Sequence, residues 1–222
     1  MASTFKVSPA TVSDVPGAVA VFFSSFNSAR AQEIFPPTES GKRWLADSIT
    51  ASINRPELGI SSVVVTDESE SALAAADVNG VGNGRKEKGK VVAFATWVKH
   101  PGGEFPPWDK RWNPNPPEGV TVEMLGPGFF DAMGRQHKSA MGERPHFFLE
   151  SISTLPEFRK RGLASKLLDW GVDAADELGW ECYLDGAAGA VPLYKKYGFV
   201  EMPEKDPGTA SSPMARPGKK LV

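Results

Sequence analysis

Cysteine is almost absent from this chain: Cys182 is the only one in 222 residues. A disulfide within the chain is therefore impossible, and a reducing compartment is the natural setting. Cys182 lies in Glu-Cys-Tyr-Leu, which reads as a strand, so a buried thiol is expected there rather than a nucleophile. Histidine is scarce too, and His100, His137 and His146 show neither metal-ligand spacing nor a recognisable Ser or Cys partner. No metal and no covalent catalysis are expected; each histidine reads as an ordinary surface or strand-end residue. No apolar run reaches signal-peptide or membrane-span length, so no membrane partner is expected. The default location is the cytoplasm, with the nucleus also open. A strong charge imbalance is missing as well. The formal net charge of −2 argues against a whole-molecule nucleic-acid binder and makes basic charge a local matter.

Two familiar phosphate loops are also lacking. A dinucleotide loop needs a third Gly and an acidic residue about 20 positions on. A nucleoside-triphosphate loop needs Gly-Lys-Ser/Thr after its gap of residues. What the chain has instead is Arg159-Lys160-Arg161-Gly162-Leu163-Ala164-Ser165, between an apolar run ending in Ser-Thr-Leu-Pro and a long amphipathic stretch. A strand, a tight turn and a helix start gather unpaired backbone N–H groups at one point, and small residues allow close approach. The helix dipole favours an anion there by about 0.3–1 kcal/mol per charge. Three basic side chains add to it. The segment suits a pyrophosphate.

Around it, Leu149 to Pro156 (Leu-Glu-Ser-Ile-Ser-Thr-Leu-Pro) and Pro192 to Phe199 (Pro-Leu-Tyr-Lys-Lys-Tyr-Gly-Phe) follow in order. With Arg-x-x-Gly-x-Ala between them, they resemble three successive segments of the GCN5-related N-acetyltransferases (GNAT): the central strand, the acetyl-CoA loop and the Leu-Tyr-x-x-x-Gly-Phe segment. The close resemblance covers residues 146–200. It implies an α/β fold in one domain, 1–222, with a mixed, mostly antiparallel sheet flanked by helices and central strands splayed to admit acetyl-CoA. It also implies that the backbone of Ile152, Ser153 and Thr154 meets the pantetheine arm. The N–H groups from Arg159 through Ser165 would meet the pyrophosphate. The implied reaction is direct acetyl transfer to an amine.

The remaining chain reads as follows. Phe5–Ser8 is a strand, and Ser13 or Asp14 caps a helix with Pro16 in its first turn. Ser40–Asn54 is a helix, Ile60–Thr66 a strand, Asp67–Gly89 a loop and Val91–Val98 a buried strand. His100–Gly119 is crowded with Pro, Gly and Trp; its consecutive prolines are expected to forbid a helix or a central strand. It is either a wall of the acceptor pocket or a surface excursion tied down by Trp108 and Trp112. Phe129–Met141 is a helix leading to the central strand, Phe147–Thr154. The next helix carries Leu163, Leu167, Leu168, Gly171, Ala174, Ala175 and Leu178 on one face and ends at Gly179. A strand at Glu181–Leu184, a helix at Pro192–Tyr197 and a last strand at Ser211–Arg216 complete the chain.

Chemistry needs an acceptor beside the thioester. An alkylammonium near its ordinary pKa of about 10.4 exposes little free amine at neutral pH, so a base or a desolvated pocket is required. Glu150, a carboxylate inside an apolar strand, is the candidate base. Strand alternation would put it on one face with Ile152 and Thr154, and Leu149, Ser151 and Ser153 on the other. Its alternative role is a salt bridge, for example to an Arg of the inserted segment. Asp185 is a second candidate, read chiefly as a turn or helix-cap residue. Under the resemblance Tyr194 stands where the family carries its general acid; the alternative is a core aromatic. Tyr197 reads as packing. The acceptor is expected to be a small-molecule amine, with a peptide or protein amine also possible. A non-catalytic acyl-CoA-binding module is the alternative from another class.

Overall fold

The computed structural model describes residues 4–69 and 89–220. Most of the loop expected at Asp67–Gly89 thus lies outside the described residues. The elements run β1 (Phe5–Pro9), α1 (Val15–Ser25), α2 (Ala29–Ile34), α3 (Glu39–Asn54), β2 (Ile60–Asp67) and β3 (Lys90–His100). Then follow α4 (Trp108–Arg111), α5 (Val122–Leu125), a single π turn (Gly126–Phe130), α6 (Asp131–Met141) and β4 (His146–Thr154). The chain closes with α7 (Leu163–Leu178), β5 (Glu181–Gly186), α8 (Val191–Lys196), β6 (Val200–Glu201) and β7 (Ser212–Arg216).

One sheet of seven strands runs β1-β2-β3-β4-β5-β7-β6. Among the described residues only β4 and β5 pair in parallel; every other neighbouring pair is antiparallel. The parallel pair is joined by α7, as a crossover connection requires. The expected mixed α/β, mostly antiparallel sheet flanked by helices is therefore present. Two features differ from the sequence reading. Helix α2 was not foreseen, although Ser28 caps it by accepting from the Ala31 N–H at 3.2 Å. The proline-rich segment also holds the short helix α4, which starts immediately after Pro107, where a missing N–H costs nothing.

The long helix α7 takes its position from one close approach. Gly171 lies against the indole of Trp97 in β3, and a Cβ at 171 would fall inside the ring. Trp97 is fully buried and donates its Nε1–H to the Leu167 carbonyl at 3.1 Å. The helix ends as expected, with Gly179 at φ 68°. Cys182 is buried, and burial pushes its thiol up to about 12, as suits a structural residue.

The histidines depart from expectation in their burial, although His100 does end β3 and His146 does begin β4. None is a surface residue: all three are buried in one aromatic cluster with Phe105, Phe148 and Tyr183. His146 Nδ1 lies 2.7 Å from the Arg144 carbonyl and so must carry the proton. Its Nε2 is then the acceptor for His137 Nε2–H, also at 2.7 Å. Both rings are neutral. Burial holds His137 well below the ordinary 6.5 and His146 at about 4. No local pattern signals this contact, because residues 9 apart meet here only through a helix–strand return.

Two outcomes follow. Gly171→Ala should gain about 1 kcal/mol of helix propensity but lose about 1–3 kcal/mol or more to overpacking against Trp97. Urea denaturation should show net destabilisation; parental stability would mean that α7 can back away from the sheet freely. Second, the depressed His137 and His146 contribute stability that is complete above pH 6.5 and lost as pH falls towards 4. Each removes about 1.4 kcal/mol per pH unit in that window. The urea midpoint should therefore drop between pH 7.5 and pH 5.5, and an unchanged midpoint would contradict a neutral pair.

Candidate active site

Strand β4 loses its partner halfway along. Pairing with β5 runs from His146↔Glu181 to Leu149↔Leu184 and stops there. β4 continues to Thr154 along β3, while β5 continues to Gly186 along β7. The two central strands therefore diverge, leaving an open edge on β4. At the apex the β3–β4 register slips: Trp97 faces Leu149 and Thr96 faces Ser151, so Glu150 is the extra residue of a bulge. A bulge re-aims its side chain and reverses the alternation beyond it. Ile152 consequently packs on the same core as Phe147 and Leu149, which corrects the simple alternation expected from sequence. Ser151 and Ser153 point their buried hydroxyls into the interior without hydrogen-bond partners among the described residues.

The open edge is formed by particular groups. Leu155 donates its N–H to Val92 in β3 at 3.0 Å, so by alternation Ser153 also directs its backbone to β3. Ile152 and Thr154 direct theirs into the gap. The Thr154 carbonyl is approached by Ser25 Oγ at 3.3 Å and Arg159 Nε at 3.4 Å. Ile152 thus offers both of its backbone groups, and Thr154 its N–H, to an incoming extended ligand.

The gap leads onto the basic turn. A turn of 3-10 helix at Pro156–Phe158 passes through Arg159, Lys160 and Arg161 to Gly162, the N-cap of α7. Lys160 and Gly162 both take left-handed conformations, at φ 61° and 78°. That backbone curls the chain so that successive N–H groups converge, and the first N–H groups of α7, from Leu163, Ala164 and Ser165, have no intrahelical partner. A Cβ on Gly162 would meet nothing within 4 Å; glycine is needed there for conformation and for close approach of a ligand. Arg159, Lys160, Arg161 and Gly162 are exposed, and Arg161 lies over the Phe158 ring at 5.0 Å.

Side chains gather at the apex from four elements. Glu150 forms a buried ion pair with Arg111 of α4 and accepts from Trp112 Nε1 at 2.9 Å. This is the salt bridge to the inserted segment that the sequence left open. The Arg111 guanidinium also lies over Phe105 and Phe148, and burial lowers it to about 9. Trp112 stacks on Trp44 of α3 at 5.6 Å, and Trp108 on Phe130 at 5.3 Å. The inserted segment is thus packed down as well as placed at the apex.

Asp185, one residue past the last β4–β5 rung, is not in a turn or a helix cap as expected. It is a strand residue of β5 that accepts from Gln136 at 2.5 Å and Tyr183 at 2.8 Å through Oδ1. Burial raises its carboxyl to about 6. Tyr194 is buried beside Phe199, and desolvation raises its phenol to about 12. Unlike Tyr183 and Tyr197, its hydroxyl has no hydrogen bond among the described residues. Tyr197 does more than pack: its hydroxyl donates to Asp169 at 2.6 Å and lies 3.0 Å from the Ser165 carbonyl, bracing the first turn of α7.

The structure therefore places Glu150 and the Ile152–Thr154 edge on one strand, with residues 159–165 following it, and Tyr194 in the hydrophobic cluster against which Ile152 packs. The sequence reading missed Arg111 and Gln136 by number. The first was signalled only as an Arg somewhere in the insertion, the second not at all.

A model of the acetyltransferase (GNAT) family matches residues 61–199. No curated protein matches the chain. Among solved structures, an acetyltransferase from Corynebacterium glutamicum, described as histone acetyltransferase HPA2 and related acetyltransferase, aligns with a TM-score of 0.55 at 21% identity, covering 98% of each chain. A GNAT family N-acetyltransferase (YhbS) from Escherichia coli in complex with CoA aligns at 0.52 and 16% identity, covering 98% of this chain and 83% of that one. PaiA N-acetyltransferase from Thermoplasma acidophilum, in complex with coenzyme A, aligns at 0.51 and 12% identity over 98% and 99%. These likenesses bear on the fold. Because the family match spans more than half of its residues, the chain belongs to the GNAT acetyltransferase family.

Proposed function

We infer that this protein is an N-acetyltransferase that moves the acetyl group of acetyl-CoA directly to an amine. The observation that carries the reading is the β4–β5 pairing that ends at Leu149↔Leu184 and opens straight onto the N-terminus of α7. A pantetheine arm can pair with Ile152 and Thr154, satisfying amides whose burial without partners would cost about 1–3 kcal/mol each. Its pyrophosphate then meets the N–H groups of residues 159–165 and the charges of Arg159, Lys160 and Arg161. The thioester falls at the apex. The fold, the turn and the CoA-bound neighbours support this; the family spans small-molecule and protein acceptors, and the packed wall of Trp108, Arg111 and Trp112 favours a small-molecule amine.

In the reaction the amine nitrogen bonds to the thioester carbonyl carbon as the carbon–sulfur bond breaks. One proton leaves nitrogen and one reaches sulfur. Glu150 takes the amine proton, directly or through water, with its orientation fixed by Arg111 and Trp112. Tyr194, at about 12, is too weak an acid to hand its proton fully to a thiolate of ordinary pKa near 8.5. It acts by donating a hydrogen bond to the developing thiolate, and the proton released by the amine completes the thiol. Positioning supplies most of the acceleration, since well-oriented reactants can gain about 7–11 kcal/mol.

Gly162→Glu should abolish tight acetyl-CoA binding measured by calorimetry, because it places a negative side chain in the anion cradle and strains a left-handed backbone. Unchanged affinity in the folded variant would overturn the cofactor assignment. Tyr194→Phe should keep acetyl-CoA affinity and stability while kcat falls about 10- to 100-fold, at or below the lower end of the roughly 10²–10⁴-fold typical of acid assistance. Thiol-release kinetics decide it: parental kcat with chemistry rate-limiting would leave Tyr194 as packing.

A further inference from the structure

Stability alone does not explain the buried pair of Glu150 and Arg111. Their side chains are 7% and 9% exposed, and an ion pair so far from water often stabilises no more than apolar residues of the same volume would. The chain nevertheless assembles a seat for it from several elements. Phe105, in the inserted segment, packs edge-on against His137 of α6, with ring centroids 4.3 Å apart, and against His100 of β3 at 5.1 Å. It stacks with His146 of β4 at 5.9 Å and meets Phe148 edge-on at 5.6 Å. His100 Nε2 holds the adjoining turn through the Gly103 carbonyl at 3.0 Å.

Arg111 is fixed by that ring. Its guanidinium carbon lies 4.9 Å from the Phe105 centroid and 5.8 Å from that of Phe148, within the range of a cation–π contact. Its Nε donates to the carbonyl of Pro106, the residue after Phe105, at 3.0 Å. Seating Phe105 therefore seats the guanidinium, and the guanidinium meets Glu150 at the bulge of β4. The seat itself is uncharged. His137 and His146 share a hydrogen bond as neutral rings, Tyr183 of β5 stacks on His137, and the charge of Arg111 adds to the burial that keeps His137 neutral. Asp47, Arg55, Asp109 and Lys110 line a groove with Trp112 but are exposed, so water and salt screen them. Among the described residues, Arg111 is the cation that pairs with Glu150.

We propose that Phe105 is a positioning residue for the acetyl transfer: held among the three histidines, it keeps Arg111 against Glu150 and so keeps the base ionised and able to take a proton. This rests on the reading of Glu150 as the base. A carboxyl group in a dry corner takes up a proton unless a cation stands beside it, and a protonated carboxyl cannot accept another from the amine. The inserted segment therefore supplies a charge to the reaction as well as packing. It does so through a ring that has no ionisable atom of its own.

The test follows the Glu150 carboxyl itself in the full chain and needs no acceptor. With carboxyl-labelled glutamate, the signal lost in Glu150→Gln is titrated by carbon NMR. Phe105→Leu keeps apolar volume but removes the ring face, and the protonation midpoint should rise by about 1 pH unit; in Arg111→Met it should rise by about 1–3. Phe105→Tyr keeps the ring face and should retain the parental midpoint. Phe105→Met fills the seat more flexibly and gives the same reading should Phe105→Leu not fold. In thiol-release kinetics with n-butylamine as the probe acceptor, the acid limb of kcat/KM should move with the midpoint. Activity of Phe105→Leu should then be about 10-fold lower below the parental midpoint and near parental above the raised one. Acetyl-CoA affinity by calorimetry should be unchanged. A parental midpoint in Phe105→Leu, or an equal rise in Phe105→Tyr, would overturn the positioning role alone. A raised midpoint with an unmoved acid limb would overturn Glu150 as the base, and this inference with it. Failure of the parent to bind acetyl-CoA would instead overturn the acetyl-transfer reading.

Discussion

The rest of the molecule depends on a parallel pairing that is cut short. β4 and β5 hold together from His146 to Leu149 and then part. Parallel strands require a crossover, and α7 supplies it; its N-terminus must therefore sit just beyond the C-terminal end of β4, where the gap opens. An edge with free backbone groups and a cluster of free N–H groups become neighbours for topological reasons alone. No side chain has to be invoked to bring them together.

That gap stays open because each side is held from elsewhere. β4 is secured by β3 through Thr154, and β5 by β7 through Gly186. α7 is pinned by the contact of Gly171 with Trp97. At the apex, the bulge at Glu150 and its pair with Arg111 fill the interior corner with compensated charge, which keeps the strands from simply zipping on. The same pair ties the proline-rich insertion to the bulge of β4, so a segment that looks like an excursion is packed against the sheet.

The electrostatics divide between surface and interior. Outside, the exposed Arg159, Lys160 and Arg161 stand beside the N-terminus of α7, a combination that favours negative charge. Inside, the carboxylate at the bulge, Glu150, is already neutralised by Arg111. The neutral His137–His146 pair lies behind this region as packing, with its protons assigned by the Arg144 carbonyl.

By itself the sequence determined the local elements. Gly162 and Gly179 bound α7, the 3.6-residue spacing of Leu163, Leu167 and Gly171 named its buried face, and Arg159 to Ser165 marked a basic turn leading into a helix. Each of these is a short-range property, set by backbone geometry and by neighbours within a turn or two. The tertiary structure decided everything that needed residues far apart. It turned Asp185 from a presumed turn residue into a buried strand carboxylate, because Gln136, 49 positions away, reaches it from α6. It shifted the alternation of β4 at Glu150, because a bulge is defined by the partner strand and not by the strand that carries it. It gathered three unremarkable histidines into one core, and it chose Arg111 as the partner of Glu150. Periodicity reports which face of an element is apolar; only packing reports which polar group is left there without a partner.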